Sequence, residues 1–157
     1  MMVMVNYDLK SAQIIIITII SVPSINFASM KNPFLFIAGI SGALVVAIGA
    51  LGAHSLKPYL PPDALVSYET AVRYQFYHTL ALLFIALWQQ HNNSKLLRTA
   101  GWLFVAGIIC FSGSVYFLST KPVTGLVNIS FLGPVTPIGG LLFMAGWVVV
   151  AVSAVRK

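Results

Sequence analysis

Glu69, Arg73, Tyr74, Gln75 and His78 fall within ten residues of one another, a density of polar groups that can pair ions, hold an anion or pass a proton. Glu69 precedes Arg73 by four positions, the order that favours an ion pair on one helical face. The planar fork of arginine also suits a phosphate, so anion or lipid-headgroup recognition stands beside the simple ion pair. His78 lies five residues past Arg73, about 7–8 Å further along a helix axis, with Tyr74 one turn before it. A histidine so placed either hydrogen-bonds across to a neighbouring helix or serves a proton path. Against the second use stands the absence of a further carboxylate deep in the chain. Ser112 and Ser114 flank Gly113 without an acid and a base in a triad arrangement, so no serine nucleophile is expected. His54, His78 and His91 are far apart and none has a second ligand at the short spacing of metal motifs. No metal, cofactor or catalytic residue is expected. A lone cysteine, Cys110, allows neither an intramolecular disulfide nor a cysteine-based zinc site.

These groups are set in a very apolar chain. Of 157 residues 59% are hydrophobic and 8% charged, with nine Lys or Arg against three Asp or Glu. A soluble domain carries about 25% charged residues, so this composition belongs in a bilayer, and the length leaves no room for a separate soluble catalytic domain. Lys31, Lys57, Lys95, Lys121 and Lys157 are scattered between apolar runs rather than gathered on one face, which excludes nucleic acid as the partner. Four stretches meet the need for about 20 mostly apolar residues: residues 33–53, 73–88 with their flanks, 100–118 and 135–155. The expected fold is therefore all-α, a four-helix transmembrane bundle over residues 30–157. Residues 1–29 hold an isoleucine-rich run at 14–20 that is too short to span. They read as a non-core amino-terminal extension, either a mis-set start ahead of Met30 or a signal-like segment.

With the first certain helix starting inside, the inner segments hold Lys10, Lys31, Lys95, Arg98, Arg156 and Lys157, and the outer ones Lys57, Arg73 and Lys121. Positive residues favour the cytoplasmic side, so both termini are expected there. The second helix starts at Pro62-Asp63, where Asp63 suits a cap. Val72, Phe76, Leu80, Leu83 and Leu87 then form one stripe for lipid, and Arg73, Tyr74, Gln75, Tyr77 and His78 are expected to face the bundle or water. Thr136 follows Pro134 and is read as a cap of the fourth helix. On this topology His54, Glu69, Arg73, Tyr74, Gln75, His78, Ser112, Ser114 and Thr136 all lie in the outer half. They are expected to form one polar cluster, a candidate ligand or lipid site, roofed by residues 57–68 and 123–132.

The motifs Gly49-Ala50-Leu51-Gly52-Ala53-His54, Glu69-Thr70-Ala71-Val72-Arg73-Tyr74-Gln75-Phe76-Tyr77-His78, Phe111-Ser112-Gly113-Ser114-Val115-Tyr116 and Thr136-Pro137-Ile138-Gly139-Gly140, followed by Ala145-Gly146-Trp147, resemble the transmembrane protein 256 family, also called domain of unknown function 423. The resemblance covers nearly all of residues 33–155 in order. It implies an integral membrane protein, in bacteria at the inner membrane, and it carries no established activity. It also implies a usual start near Met30.

Three functions compete. A non-enzymatic bundle would use the outer cluster for packing, or for docking a lipid or a membrane-protein partner. A small transporter or channel would need a homo-oligomer, since four helices this rich in Gly and Ala leave little room for a path inside one protomer. An intramembrane enzyme would need paired acids or metal ligands, which the sequence lacks.

Overall fold

Proline lacks the amide hydrogen that a first helical turn leaves unused, and it opens the first two helices. Helix α1, Pro33–Leu56, starts behind Asn32, whose side chain accepts a hydrogen bond from the Phe34 amide at 3.1 Å. Helix α2, Pro62–Gln89, follows Pro61 and carries Asp63 in its first turn, where a carboxylate is favoured by the helix dipole. Helix α3, Lys95–Thr124, is capped by Ser94, which accepts from the Leu96 amide. It stops at Gly125, whose φ of 64° is the left-handed conformation that ends helices and suits glycine. Helix α4 spans Leu132–Val155. The computed structural model describes residues 32–92 and 94–155. Residues 1–29, expected to lie outside the core, fall outside the described residues.

The four helices run up and down, each antiparallel to the one before it. Helix α1 pairs with α2, α2 with α3, and α3 with α4. Phe34 of α1 reaches α3 at Gly101, and Phe143 and Trp147 of α4 reach His78 of α2. The core formed where they meet includes Leu82, Ile85, Leu97 and Phe104, all fully buried. Its seams are ring-and-socket contacts. A Cβ placed on Gly101 would lie 2.5 Å from the Phe34 ring, one on Gly107 2.5 Å from Phe143, and one on Gly146 2.5 Å from Phe104. Small residues thus admit rings where helices in a membrane must gain contact by close approach.

Two segments are wound more widely than an α-helix. Leu51–Leu56 at the end of α1 and Ile108–Gly113 in the middle of α3 are π-helical, with hydrogen bonds to the fifth residue along. At the second of these, Gly139 of α4 lies against the backbone of Phe111.

The all-α, four-helix transmembrane architecture is the one expected, and among the described residues there is no strand. Among the described residues three helices are long and apolar enough to cross a membrane: α1, α3 and α4. The expectation counted four. Helix α2 is 28 residues long, about 42 Å at 1.5 Å per residue, but residues 69–78 lower its apolarity, and it lies in the bundle by pairing that polar segment with its neighbours. Helix α3 also starts five residues before Ala100, because Lys95 and Arg98 sit at a membrane boundary and a charge there does not end a helix. Helix α4 starts at Leu132 rather than Val135, which removes Thr136 from the cap. Its hydroxyl bonds back to the Leu132 carbonyl at 3.4 Å.

Candidate functional site

The buried polar side chains of α2 are each met by a partner from another helix. Ser41 of α1 and Thr79 of α2 share a hydroxyl hydrogen bond of 2.6 Å. One turn away, the Gln75 amide donates to the Ser41 carbonyl at 3.3 Å and to its hydroxyl at 3.4 Å. Its carbonyl oxygen accepts from the Tyr116 hydroxyl of α3 at 2.8 Å. A single amide therefore ties α1, α2 and α3. Beside it, Ser112 of α3 donates to the Ala71 carbonyl of α2 at 3.0 Å.

His78 forms a second set. Its Nδ1 lies 2.8 Å from the Tyr74 carbonyl, which can only accept, so Nδ1 carries the proton. Its Nε2 accepts from the Trp147 indole at 3.3 Å, which can only donate. These partners assign the neutral tautomer with both nitrogens engaged. The ring lies flat on Phe143, with centroids 3.5 Å apart and planes 10° from parallel. A third set joins α3 to α4, where Ser114 and Thr136 share a 2.7 Å hydrogen bond and Ser114 donates to the Phe111 carbonyl. Among the described residues no buried side-chain nitrogen or oxygen is without a partner.

The nine residues expected in one cluster are thus distributed. Gln75, His78, Ser112, Ser114 and Thr136 join helices in the three sets. Tyr74 is 40% exposed and stacks on Phe111 with centroids 4.6 Å apart. His54 is exposed on the π-helical end of α1. Glu69 and Arg73 pair with each other at 3.4 Å on the outside of the bundle, 58% exposed at Arg73 and 56% at Glu69. Of the two environments expected for them, bundle or water, Arg73 and Tyr77 do not face the bundle but are exposed at its surface. A helical side chain leans toward its N-terminus, which for α2 is the boundary end. The guanidinium reaches back along the helix to Glu69, which lies one turn nearer that end. At the same end, a crevice of about 350 Å³ lined by Asp63, Ser67, Ser119 and Thr136 opens between α2, α3 and α4.

Ser41, Thr79, Tyr116 and Trp147 also belong to these sets and were not expected in the cluster, although Tyr116 and Trp147 fall within the motifs quoted above. Ser41 carried a signal, as the one hydroxyl in the apolar run of α1. Among the described residues no three of His, Cys, Asp and Glu lie together as a metal site would require.

A family model described as protein of unknown function (DUF423) matches residues 48–140. The UPF0382 membrane protein YwdK of Bacillus subtilis is 40% identical over 124 residues, covering 78% of this chain and 96% of its own. A UPF0382 membrane protein of Haemophilus influenzae is 38% identical, covering 82% and 98%. The UPF0382 inner membrane protein YgdD of Escherichia coli is 36% identical, covering 81% and 93%. No solved structure matches the chain significantly.

Proposed function

The chain belongs to the DUF423 family of membrane proteins, and on that premise we propose that it is a non-enzymatic scaffold of the bacterial inner membrane. Its interhelical hydrogen bonds hold the bundle, and its outer surface docks a lipid or a membrane partner. The observation that carries this reading is that, among the described residues, every buried side-chain nitrogen and oxygen has a hydrogen-bond partner within the protein. A catalytic or conducting site keeps some polar atoms free for its substrate, whereas here the intramembrane histidine spends both nitrogens on Tyr74 and Trp147. Protonating Nε2 would break the Trp147 bond, which argues against a relay.

Reconstituted in liposomes, the protein is expected to pass potassium ions and protons no faster than protein-free vesicles. Flux that rises with the amount of protein would overturn the scaffold and favour an oligomeric channel. The charge bias of six inner against three outer positive residues supports cytoplasmic termini. Reporters fused after Asn92 and Lys157 are expected to be cytoplasmic and one after Gly125 external. The opposite pattern would invert the proposed orientation.

A further inference from the structure

On the outer surface, two recesses lie along the seam between α1 and α2. One, of about 200 Å³, is bounded by Gly49 and Ala53 on α1 and by Glu69, Val72 and Arg73 on α2. The other, of about 240 Å³, lies between Leu35, Gly39 and Gly42 on α1 and Phe76, Leu80 and Leu83 on α2. They are in register. On α2 the lining positions 69, 72, 73, 76, 80 and 83 recur at spacings of three and four, so they share one helical face. Fourteen residues separate its ends, about 21 Å along the axis, which exceeds half of the ~30 Å hydrocarbon thickness. The seam thus forms a trench with two charges at one end and, toward the other, walls that are apolar except for Thr79, whose hydroxyl is already bonded to Ser41. Small residues on α1 leave it unfilled: a Cβ on Gly39 would meet nothing within 4 Å.

We propose that this trench binds a phospholipid whose headgroup carries both a phosphate and a primary ammonium. Arg73 takes the phosphate, Glu69 takes the ammonium, and an acyl chain lies between Gly39 and Leu80. The assignment rests on the lipid-docking part of the function proposed above. Charge complementarity selects the headgroup. Arg73 and Glu69 touch through one nitrogen and one oxygen at 3.4 Å and are each more than half exposed, so most guanidinium donors and one carboxylate oxygen remain for a ligand. A headgroup with a phosphate alone would satisfy Arg73 but place its negative charge beside Glu69. A headgroup with both charges meets each side chain with its opposite, and the spacing of the pair along one turn presents them side by side.

The test is competitive lipid retention. The full chain is reconstituted in vesicles of equal parts phosphatidylethanolamine and phosphatidylglycerol, extracted in detergent and weighed intact by native mass spectrometry. The wild type is expected to retain phosphatidylethanolamine in preference, by up to about fivefold, the value of one exposed ion pair. E69Q is expected to shift retention to phosphatidylglycerol, and R73Q to lose both lipids. G39L, which fills the trench from a position with open space, is expected to melt at the wild-type temperature yet lose the lipid. Equal retention of both lipids by the wild type, retention of neither, or an unchanged preference in E69Q would overturn the proposal. Ion flux with the lipid preference intact would defeat the scaffold and leave this site standing. Absence of both flux and preference would defeat the site alone.

Discussion

Replacing Gly139 by alanine will destabilise the bundle by about 3 kcal/mol, the upper part of the range for overpacking a tight interface. The added methyl would collide with the main chain of Phe111, at its nitrogen and Cα, and a main chain inside a helix cannot rotate away. Helices α3 and α4 must separate, and the Ser114 to Thr136 hydrogen bond separates with them. Alanine at neighbouring Gly140 provides the comparison, because nothing lies within 4 Å of a Cβ there. Alanine favours helix over glycine by about 1 kcal/mol, so Gly140→Ala should be neutral or stabilising. Unfolding in mixed detergent micelles, followed by circular dichroism, measures both. Equal stability of the two variants would mean that α3 and α4 do not meet as closely as described.

The second large effect will come from Gln75→Leu. Leucine has nearly the same volume, so the change isolates the amide. It leaves the Tyr116 hydroxyl without its acceptor and removes the donor to Ser41. Stranding buried polar groups costs about 1–3 kcal/mol each, and in a membrane this protein has no water to supply the missing partner. A loss of about 2 kcal/mol is expected. Tyr116→Phe in the same chain should recover part of it, because the stranded hydroxyl is then gone, giving a coupling of about 1 kcal/mol between the two positions. Additive losses from the two substitutions would show that the Gln75 to Tyr116 bond does not bear on stability.

The helices were legible because bilayer thickness imposes a length and an apolarity that a sequence displays directly. Pro33, Pro62 and the break before α3 could be read in this way, as could most of the stripe expected to face lipid: Phe76, Leu80, Leu83 and Leu87 are exposed, while Val72 is half-buried beside Gly49 of α1. The boundaries of α3 were less legible. An apolar window finds the part of a helix inside the hydrocarbon, while Lys95 and Thr124 lie at the ends of a helix that continues past it. The polar groups were legible as a level in the membrane but not as sets of partners. Partner choice depends on azimuth, and the π-helical segment at Ile108–Gly113 inserts about one residue relative to α-helical winding. Beyond it, positions are offset by about 100° from a wheel drawn at 3.6 residues per turn. The pairing of Tyr116 with Gln75, and of Ser114 with Thr136, lies on the far side of that offset. The four-residue spacing displayed the ion pair of Glu69 and Arg73 directly, but not that the pair lies on the outside of the bundle, apart from the other polar groups.

The contacts between α1 and α2 also bear on the order in which the chain enters the bilayer during synthesis. Hydrogen bonds join these helices at three depths: Asn32, the cap of α1, to the Ala86 carbonyl; Ser41 to Thr79 and to the Gln75 amide; and Tyr68 to the Ile48 carbonyl. None requires a residue from α3 or α4. Helix α2, too polar in its first half to partition readily alone, emerges from the ribosome just after the helix that supplies its partners. It can therefore leave the insertion machinery as half of a hairpin, with Thr79 and Tyr68 already satisfied, and wait with only Gln75 and His78 incomplete. The arrival of Tyr116 and then of Trp147 completes them in chain order. Partitioning is thus shared between two helices rather than settled helix by helix, and a substitution in α1 that unpairs Ser41 acts on whether α2 enters the membrane at all.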